Sequence, residues 1–103
     1  MNLALDYDDT YTRDPIFWDS MIGLAQSRGH KVYCITARST DHKAEVLDAL
    51  STSLGNDAIL FTAGAAKRLY AYSQGIDISV WIDDNPNMIT TGIKIDDAHT
   101  GLW

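Results

Sequence analysis

Closely spaced carboxylates follow apolar runs at two places in the chain, and their spacing suits metal-dependent chemistry. The segment LALDYDDT places Asp6, Asp8 and Asp9 after one apolar run, and VWIDDNP places Asp83 and Asp84 after another. Carboxylates that crowd together repel one another and raise one another's pKa values unless a cation neutralises them. Oxygen ligands in a small acidic site suit Mg²⁺, which keeps several waters and can bridge to a phosphate. The sequence therefore predicts a magnesium site, provided that the fold brings the two segments together.

Other metals fit this pattern less well. Calcium in an EF-hand needs a longer ligand loop with a closing Glu, which these segments lack. Zinc usually takes His or Cys ligands, and His30, His42 and His99 are scattered without partners at metal-ligand spacing. We expect surface roles for these histidines.

Strands and helices must bring the acidic segments together, and apolar runs alternate with helical patterns along the chain. The runs are nearly continuous rather than alternating, which is typical of strands buried on both faces. We predict strands over residues 2–6, 31–36, 58–62, 78–83 and 92–95. Strand–helix alternation of this kind favours a parallel sheet covered by helices on both faces, a three-layer Rossmann-like α/β sandwich.

Helical patterns fill the intervals between these strands. Asp14 and Pro15 predict the start of the first helix, as its N-cap and its first residue. Its predicted apolar stripe comprises Phe17, Met21 and Leu24. Thr40 or Asp41 caps the second helix, and a third is predicted over 65–75. The predicted apolar stripe of the second helix comprises Val46, Leu47, Leu50 and Leu54. The predicted helix ends are Gly29, Gly55 and Gly75.

The predicted strand ends carry the polar residues. In a parallel sheet with right-handed crossovers, the C-terminal ends of the strands meet at one edge, where ligands bind. The first strand ends at Asp6 with Asp8 just beyond it, the second at Thr36 and the fourth at Asp83 and Asp84. Lys67 lies early in the helix after the third strand, so its ammonium group can reach the same edge. We therefore expect four carboxylates, a hydroxyl and an ammonium group to converge there.

Composition limits the class of protein. The chain has 103 residues, enough for a single domain over 1–103, and 46% hydrophobic and 21% charged residues argue against disorder. A formal net charge of -6 disfavours non-specific attraction to nucleic acid or an anionic membrane. Cys34 is the only cysteine and lies in an apolar run, so we expect a buried, unreactive thiol. With no leader and no apolar stretch of membrane-spanning length, a soluble cytoplasmic protein is the expectation.

Four motifs, in this order, resemble those of the haloacid dehalogenase superfamily, which consists mostly of phosphatases. The first is an apolar strand followed by Asp-x-Asp-x-Thr, here LALDYDDT, and the second is a strand that ends in Thr, here VYCIT. The third is a Lys at a helix start, here AGAAKRL, and the fourth is a strand that ends in an acidic pair, here VWIDDNP. The resemblance covers residues 3 to about 87 and implies the strand order 5-4-1-2-3.

The resemblance implies a magnesium-dependent phosphohydrolase that acts through an aspartyl-phosphate. Carried over to the matching positions, it makes Asp6 the nucleophile and Asp8 the general acid and base. Thr36 and Lys67 would bind the phosphoryl group, and Thr10 would brace the loop that carries the aspartates.

The resemblance also implies the metal ligands. Mg²⁺ would be held by Asp6, the backbone carbonyl of Asp8, and the pair Asp83 and Asp84, with Asp83 as the favoured direct ligand. An attack by one anion on another needs neutralising charge, and this cation would supply it together with the nearby lysine.

Two further residues are candidates for the site. Arg38, in TARS, is a candidate contact for an anionic substrate, and a surface role is its alternative. Asn85 is a candidate for orienting the acidic pair, or it forms a turn with Pro86.

The chain departs from the family pattern at Asp9, where many members have Gly, and in its short connections. Asp accommodates an unusual backbone turn less well than Gly, so the shape of this loop is left open. The short connections imply a member without a cap domain and with an open site. Such a site suits a phosphorylated small molecule, a phosphorylated nucleic acid end, or closure by a neighbouring subunit. Trp18 and Trp103 are candidates for a subunit contact in a homo-oligomer.

Two other functions compete with the phosphatase. A phosphorelay receiver also has a parallel sheet, acidic residues and magnesium, but its phosphorylated Asp follows the third strand. Here the third strand ends in LFTAG, which has no Asp. A non-catalytic binding module with the same fold is the second alternative, and the presence of both Asp6 and Asp8 argues against it.

Overall fold

Four parallel strands form the centre of the structure, a computed structural model that describes residues 1–92. The strands are β1 (Asn2–Leu5), β2 (Lys31–Thr36), β3 (Ile59–Phe61) and β4 (Val80–Ile82). Their order in the sheet is β3-β2-β1-β4, so β1 and β2 are the central strands. The four predicted strands are confirmed to within a few residues at each end. The fifth, over 92–95, lies outside the described residues apart from Gly92.

Four helices follow the strands in alternation, which confirms the α/β class. They are α1 (Pro15–Ser27), α2 (Lys43–Leu54), α3 (Lys67–Ser73) and the short α4 (Asn87–Thr90). Turns of 3-10 helix at Tyr11–Arg13, Thr40–His42 and Asn56–Ala58 connect some of these elements. None of the helices within residues 1–92 is long and apolar enough to cross a bilayer.

The helices lie on both faces of the sheet. From β1 to β3 the chain moves across the sheet in one direction, and right-handed crossovers then put α1 and α2 on one face. The chain returns from β3 to β4 on the far side of β1, which puts α3 on the other face. Alternate strand residues confirm these layers, since Leu5 packs in one apolar cluster and Ala4 in the other. The fold is therefore compatible with a Rossmann-like layered sandwich.

The first cluster is the larger part of the core. Its fully buried members include Ile22 of α1 together with Val46 and Leu50 of α2. Cys34 of β2 lies among them, and burial raises the pKa of its thiol to about 12, as expected of an unreactive cysteine.

The prediction for the buried face of α1 is partly wrong. Phe17 and Leu24 are 55% and 64% exposed, whereas Ile22 and Ala25 are buried and Trp18 is half-buried. The helix has apolar residues on more than one side, so its sequence fits two orientations and packing against β2 selects one. The predicted stripe of α2 is confirmed, with two of its four members fully buried and two packed at the edge of the core.

Helix ends are set by local chemistry. The Asp14 side chain accepts a hydrogen bond from the Phe17 amide at 3.2 Å, with Pro15 at the first helical position, as predicted. The predicted cap of α2 is wrong. Ser39 accepts from the Asp41 amide at 3.3 Å and begins a 3-10 turn, and α2 starts only at Lys43.

Candidate active site

Three carboxylates meet at the C-terminal edge of the sheet. Residues Leu5 and Ile82 are paired in the register of β1 and β4, so the next residues, Asp6 and Asp83, lie side by side. The Asp6 amide donates to the Ile82 carbonyl at 2.9 Å, which extends this pairing into the site. Carboxylate oxygens of Asp6, Asp83 and Asp84 all lie within 4.8 Å of one another. The fold thus brings the two acidic segments together.

Lys67 supplies a positive charge within this cluster. Its Nζ atom lies 2.7 Å from Oδ1 of Asp6 and 2.6 Å from Oδ2 of Asp83. The Lys67 side chain is only 2% exposed, which excludes a surface role. Two carboxylates therefore satisfy an ammonium group that would otherwise be costly to bury.

The Thr10 hydroxyl joins the two acidic segments. It lies 3.1 Å from Oδ2 of Asp6 and 3.1 Å from Oδ1 of Asp84, and its single proton can be donated to one of them at a time. It also accepts a hydrogen bond from the Asp84 amide at 3.2 Å. Thr10 therefore holds the loop after β1 against the loop after β4.

Proton affinities in the cluster reflect burial and crowding. Burial and hydrogen bonding with the Asp84 carboxylate raise the pKa of Asp6 to about 7, against the lowering effect of Lys67. The same hydrogen bond from Asp6 holds the pKa of Asp84 below its usual range, and the Thr10 hydroxyl lowers it further. Three carboxylates with one ammonium group leave two negative charges in excess when all are ionised. A hard cation that accepts oxygen ligands fits this donor set and this charge.

The loops after β2 and β3 are joined by backbone hydrogen bonds that place α3. The Thr62 amide donates to the Thr36 carbonyl at 2.9 Å, and the Ala63 amide donates to the Arg38 carbonyl at 3.1 Å. Thr36 is fully buried at the end of β2, and its hydroxyl accepts from the Arg38 amide at 3.3 Å. Because α3 begins at Lys67, this pairing fixes where the lysine enters the carboxylate cluster.

Asp8 lies apart from the three clustered carboxylates. Its side chain is 51% exposed and forms a bidentate ion pair with Arg38, at 3.0 Å from Nε and 2.9 Å from Nη2. The prediction that the Asp8 carboxylate converges with the other three is therefore wrong, because its ion pair with Arg38 holds it outside the cluster. The metal contact predicted for this residue was its backbone carbonyl, and it stays a prediction.

Two residues that contact Arg38, Tyr7 and Glu45, were not predicted from the sequence. Nη1 of Arg38 donates to Oε1 of Glu45 at 3.4 Å, and the Tyr7 hydroxyl donates to Oε2 of Glu45 at 3.0 Å. Glu45 lies 38 residues from Tyr7, so spacing alone does not connect the two. Two features of the sequence could have marked these residues. Glu45 is the only glutamate in the chain, and Tyr7 lies between Asp6 and Asp8.

Two residues near the site have left-handed backbone conformations. Asp9 has φ 62° and Ala63 has φ 54°, in the loops that follow β1 and β3. Side chains other than glycine adopt such angles at some energetic cost, and this strain concentrates at functional sites. The Asp9 amide donates to the Thr12 hydroxyl at 3.0 Å, which helps to hold the turn. The loop after β1 therefore has the left-handed turn that glycine would favour, with Asp9 at that position.

Asn85 contributes through its backbone. Its amide donates to Oδ1 of Asp83 at 3.0 Å and so orients the first member of the acidic pair. The same residue also begins a turn, because the Met88 amide donates to the Asn85 carbonyl at 2.9 Å. The backbone of Asn85 therefore makes the orienting contact, and a substrate contact of its side chain stays a prediction.

Comparison of the chain with known protein families, with curated proteins and with solved structures finds no match among any of the three.

Proposed function

We propose that this protein is a magnesium-dependent phosphohydrolase of the haloacid dehalogenase type, acting on a phosphomonoester. The observation that carries the proposal is the convergence of Asp6, Asp83, Asp84 and Lys67 at the C-terminal edge of a parallel sheet. The strand order β3-β2-β1-β4 is compatible with the order that this family would have. The substrate is a phosphorylated small molecule or a phosphorylated nucleic acid end.

Asp6 is the proposed nucleophile. One of its carboxylate oxygens attacks phosphorus, the bond from phosphorus to the leaving oxygen breaks, and an aspartyl-phosphate forms. Lys67 and Thr10 hold this carboxylate in one orientation, and Lys67 also offsets negative charge as two anions approach. Water then attacks the aspartyl-phosphate, which releases inorganic phosphate and restores the carboxylate.

Asp8 is the proposed general acid and base. It donates a proton to the leaving oxygen in the first step and takes a proton from the attacking water in the second. Its exposure allows the side chain to turn, and before the first step it must leave Arg38 and take up a proton from solvent. Thr36, at the end of β2, remains the proposed hydroxyl contact of the phosphoryl group.

Asp6, Asp83 and Asp84 would hold Mg²⁺, which would supply neutralising charge for the anionic reactants. The carboxylate excess in the cluster and the orientation of Asp83 by the Asn85 amide support this assignment. Within residues 1–92, short connections leave no inserted domain between the site and solvent, which suits a substrate that projects its phosphate inward.

Phosphate release tests the proposal. The purified protein should release inorganic phosphate from at least one of three substrate classes, namely sugar phosphates, nucleotides and phosphorylated oligonucleotides. Release should require Mg²⁺ and stop with chelator. Asp6→Asn should abolish release, whereas Asp48→Asn, an exposed carboxylate on α2, should not. No magnesium-dependent release from any class would favour a binding module instead.

A further inference from the structure

Arg38 is held from two sides by different groups. On one edge, Nε and Nη2 donate to the two carboxylate oxygens of Asp8, at 3.0 and 2.9 Å. On the other side, Nη1 donates to the His42 carbonyl at 3.3 Å and to Glu45 at 3.4 Å. The guanidinium group therefore keeps two partners when Asp8 leaves.

Tyr7 completes the support for this group. The Arg38 guanidinium lies 5.2 Å from the centre of the Tyr7 ring, a distance suited to a cation–π contact. The Tyr7 hydroxyl also donates to the Glu45 carboxylate at 3.0 Å. Tyr7 thus orients Glu45, and Glu45 in turn holds Arg38. Tyr7 itself is buried and stacks on Tyr11 at 5.8 Å between ring centres. The arginine thus rests on a rigid part of the core.

The edge occupied by Asp8 has the geometry of an anion site. A guanidinium edge binds carboxylates and phosphates in the same bidentate manner. When Asp8 turns toward the reacting phosphoryl group, as its proposed role requires, the edge formed by Nε and Nη2 loses its partner. Nε and Nη2 would then lack a protein partner, while Nη1 keeps the His42 carbonyl and Glu45. A second anionic group on the substrate would replace Asp8.

We propose that Arg38, positioned by Tyr7 and Glu45, binds a second phosphate or phosphodiester of the substrate next to the phosphomonoester that is cleaved. This inference rests on the proposed function and narrows its substrate class. A bisphosphate metabolite and a nucleic acid end carrying a terminal phosphate share this chemistry. Tyr7 and Glu45 are positioning residues because they act through the arginine and not on the substrate.

Ligand binding without turnover tests the inference first. Titration calorimetry of Asp6→Asn with Mg²⁺ compares adenosine 3′,5′-bisphosphate with adenosine 5′-monophosphate and adenosine 3′-monophosphate. The bisphosphate should bind on the order of ten-fold more tightly than either monophosphate, as expected for a charge-assisted bidentate contact. The double variant that combines Asp6→Asn with Arg38→Gln should lose this preference for the bisphosphate. A dinucleotide with a 5′-phosphate separates the two sources, because only a nucleic acid site should bind it more tightly than the bisphosphate.

Kinetics of the active protein then test the positioning residues. Tyr7→Phe and Glu45→Gln should raise KM for the bisphosphate several-fold more than KM for a monophosphate. The ratio of kcat for the bisphosphate to kcat for the monophosphate should stay constant. A general structural defect would instead affect both substrates alike and would not single out KM for the bisphosphate. The matched controls are Tyr72→Phe and Asp48→Asn, both at exposed positions outside the site. If Tyr7→Phe does not fold, Glu45→Gln alone tests the inference, because the Glu45 side chain is half-exposed and its substitution should not disturb the core.

Two results would overturn the inference and leave the phosphatase intact. The first is equal affinity for bisphosphate and monophosphates in a protein that hydrolyses phosphomonoesters. The second is an undiminished preference in Arg38→Gln. Absence of both binding and hydrolysis for every phosphate compound would instead overturn the proposed function and this inference with it.

Discussion

The ammonium group of Lys67 lies 2.7 Å from a carboxylate oxygen of Asp6, although 61 residues separate them in the chain. Both side chains are buried, and Asp83 is the second partner of the ammonium group at 2.6 Å. The ion pair of Lys67 with Asp6 therefore stabilises the edge of the sheet and also takes part in the chemistry proposed there.

Lys67→Met should destabilise the protein by about 3–5 kcal/mol, because removal of one partner leaves buried carboxylates without their counter-charge. Urea unfolding measures the change in the free energy of unfolding. Lys43→Met, at an exposed position of α2, is the matched control and should alter stability little. A loss in Lys67→Met as small as in the control would mean that the ion pairs contribute nothing to folding.

Asp83→Asn and Asp84→Asn should weaken magnesium binding unequally. Asp83 has the buried carboxylate, oriented by Lys67 and the Asn85 amide, whereas Asp84 is exposed and bonded to Thr10. We expect the larger loss at Asp83, by more than about ten-fold in affinity. Because a ligand of the folded state raises the melting temperature, thermal unfolding across a Mg²⁺ titration measures both variants. Shifts equal to those of the parent in both variants would remove the pair from the site.

Asp8→Asn should affect substrates according to their leaving groups. General acid catalysis is typically worth ~10²–10⁴-fold, and a basic alkoxide leaving group needs the proton most. Single-turnover cleavage of an alkyl phosphate should therefore slow far more than that of an aryl phosphate. The second step lacks its base with both substrates, so the aryl phosphate should give a burst followed by slow turnover. Equal slowing without a burst would assign Asp8 to the fold or the metal alone.

Asp9→Gly and Asp9→Ala should differ in stability. Asp9 has φ 62°, which glycine adopts freely and alanine adopts only with strain. We expect the glycine variant to be about 1 kcal/mol more stable than the alanine variant, measured by urea unfolding. The same pair of substitutions at Asp57, in a 3-10 turn, serves as the control and should not favour glycine. Equal stability of the two Asp9 variants would show that this turn relaxes at no cost.

Sequence patterns predicted the sheet and its polar edge because those features are local. A continuous apolar run such as KVYCIT has few alternatives to a buried strand, and the structure confirms it over Lys31–Thr36. The residue types at the strand ends then follow from the parallel topology. The convergence of Asp6, Asp83 and Lys67 was predictable for that reason.

Features that depend on packing were not predictable in the same way. Helix α1 is apolar on several sides, so periodicity did not show that Phe17 would be exposed and Ala25 buried. The ion pair of Asp8 with Arg38 joins loops 30 residues apart, and its geometry depends on how those loops fold. Glu45 had no motif to mark it, since it acts through side chains from other elements.

The position of β4 beside β1 determines when the site can exist during synthesis. Asp6 directly follows β1 and is made before its partners Asp83 and Asp84, which come only after β4, the last described strand. A nascent chain that has emerged only as far as α3 holds Asp6 and Lys67 but lacks two of the three carboxylates. The proposed cation binding at this cluster would therefore require a nascent chain from which β4 has already emerged and paired with β1.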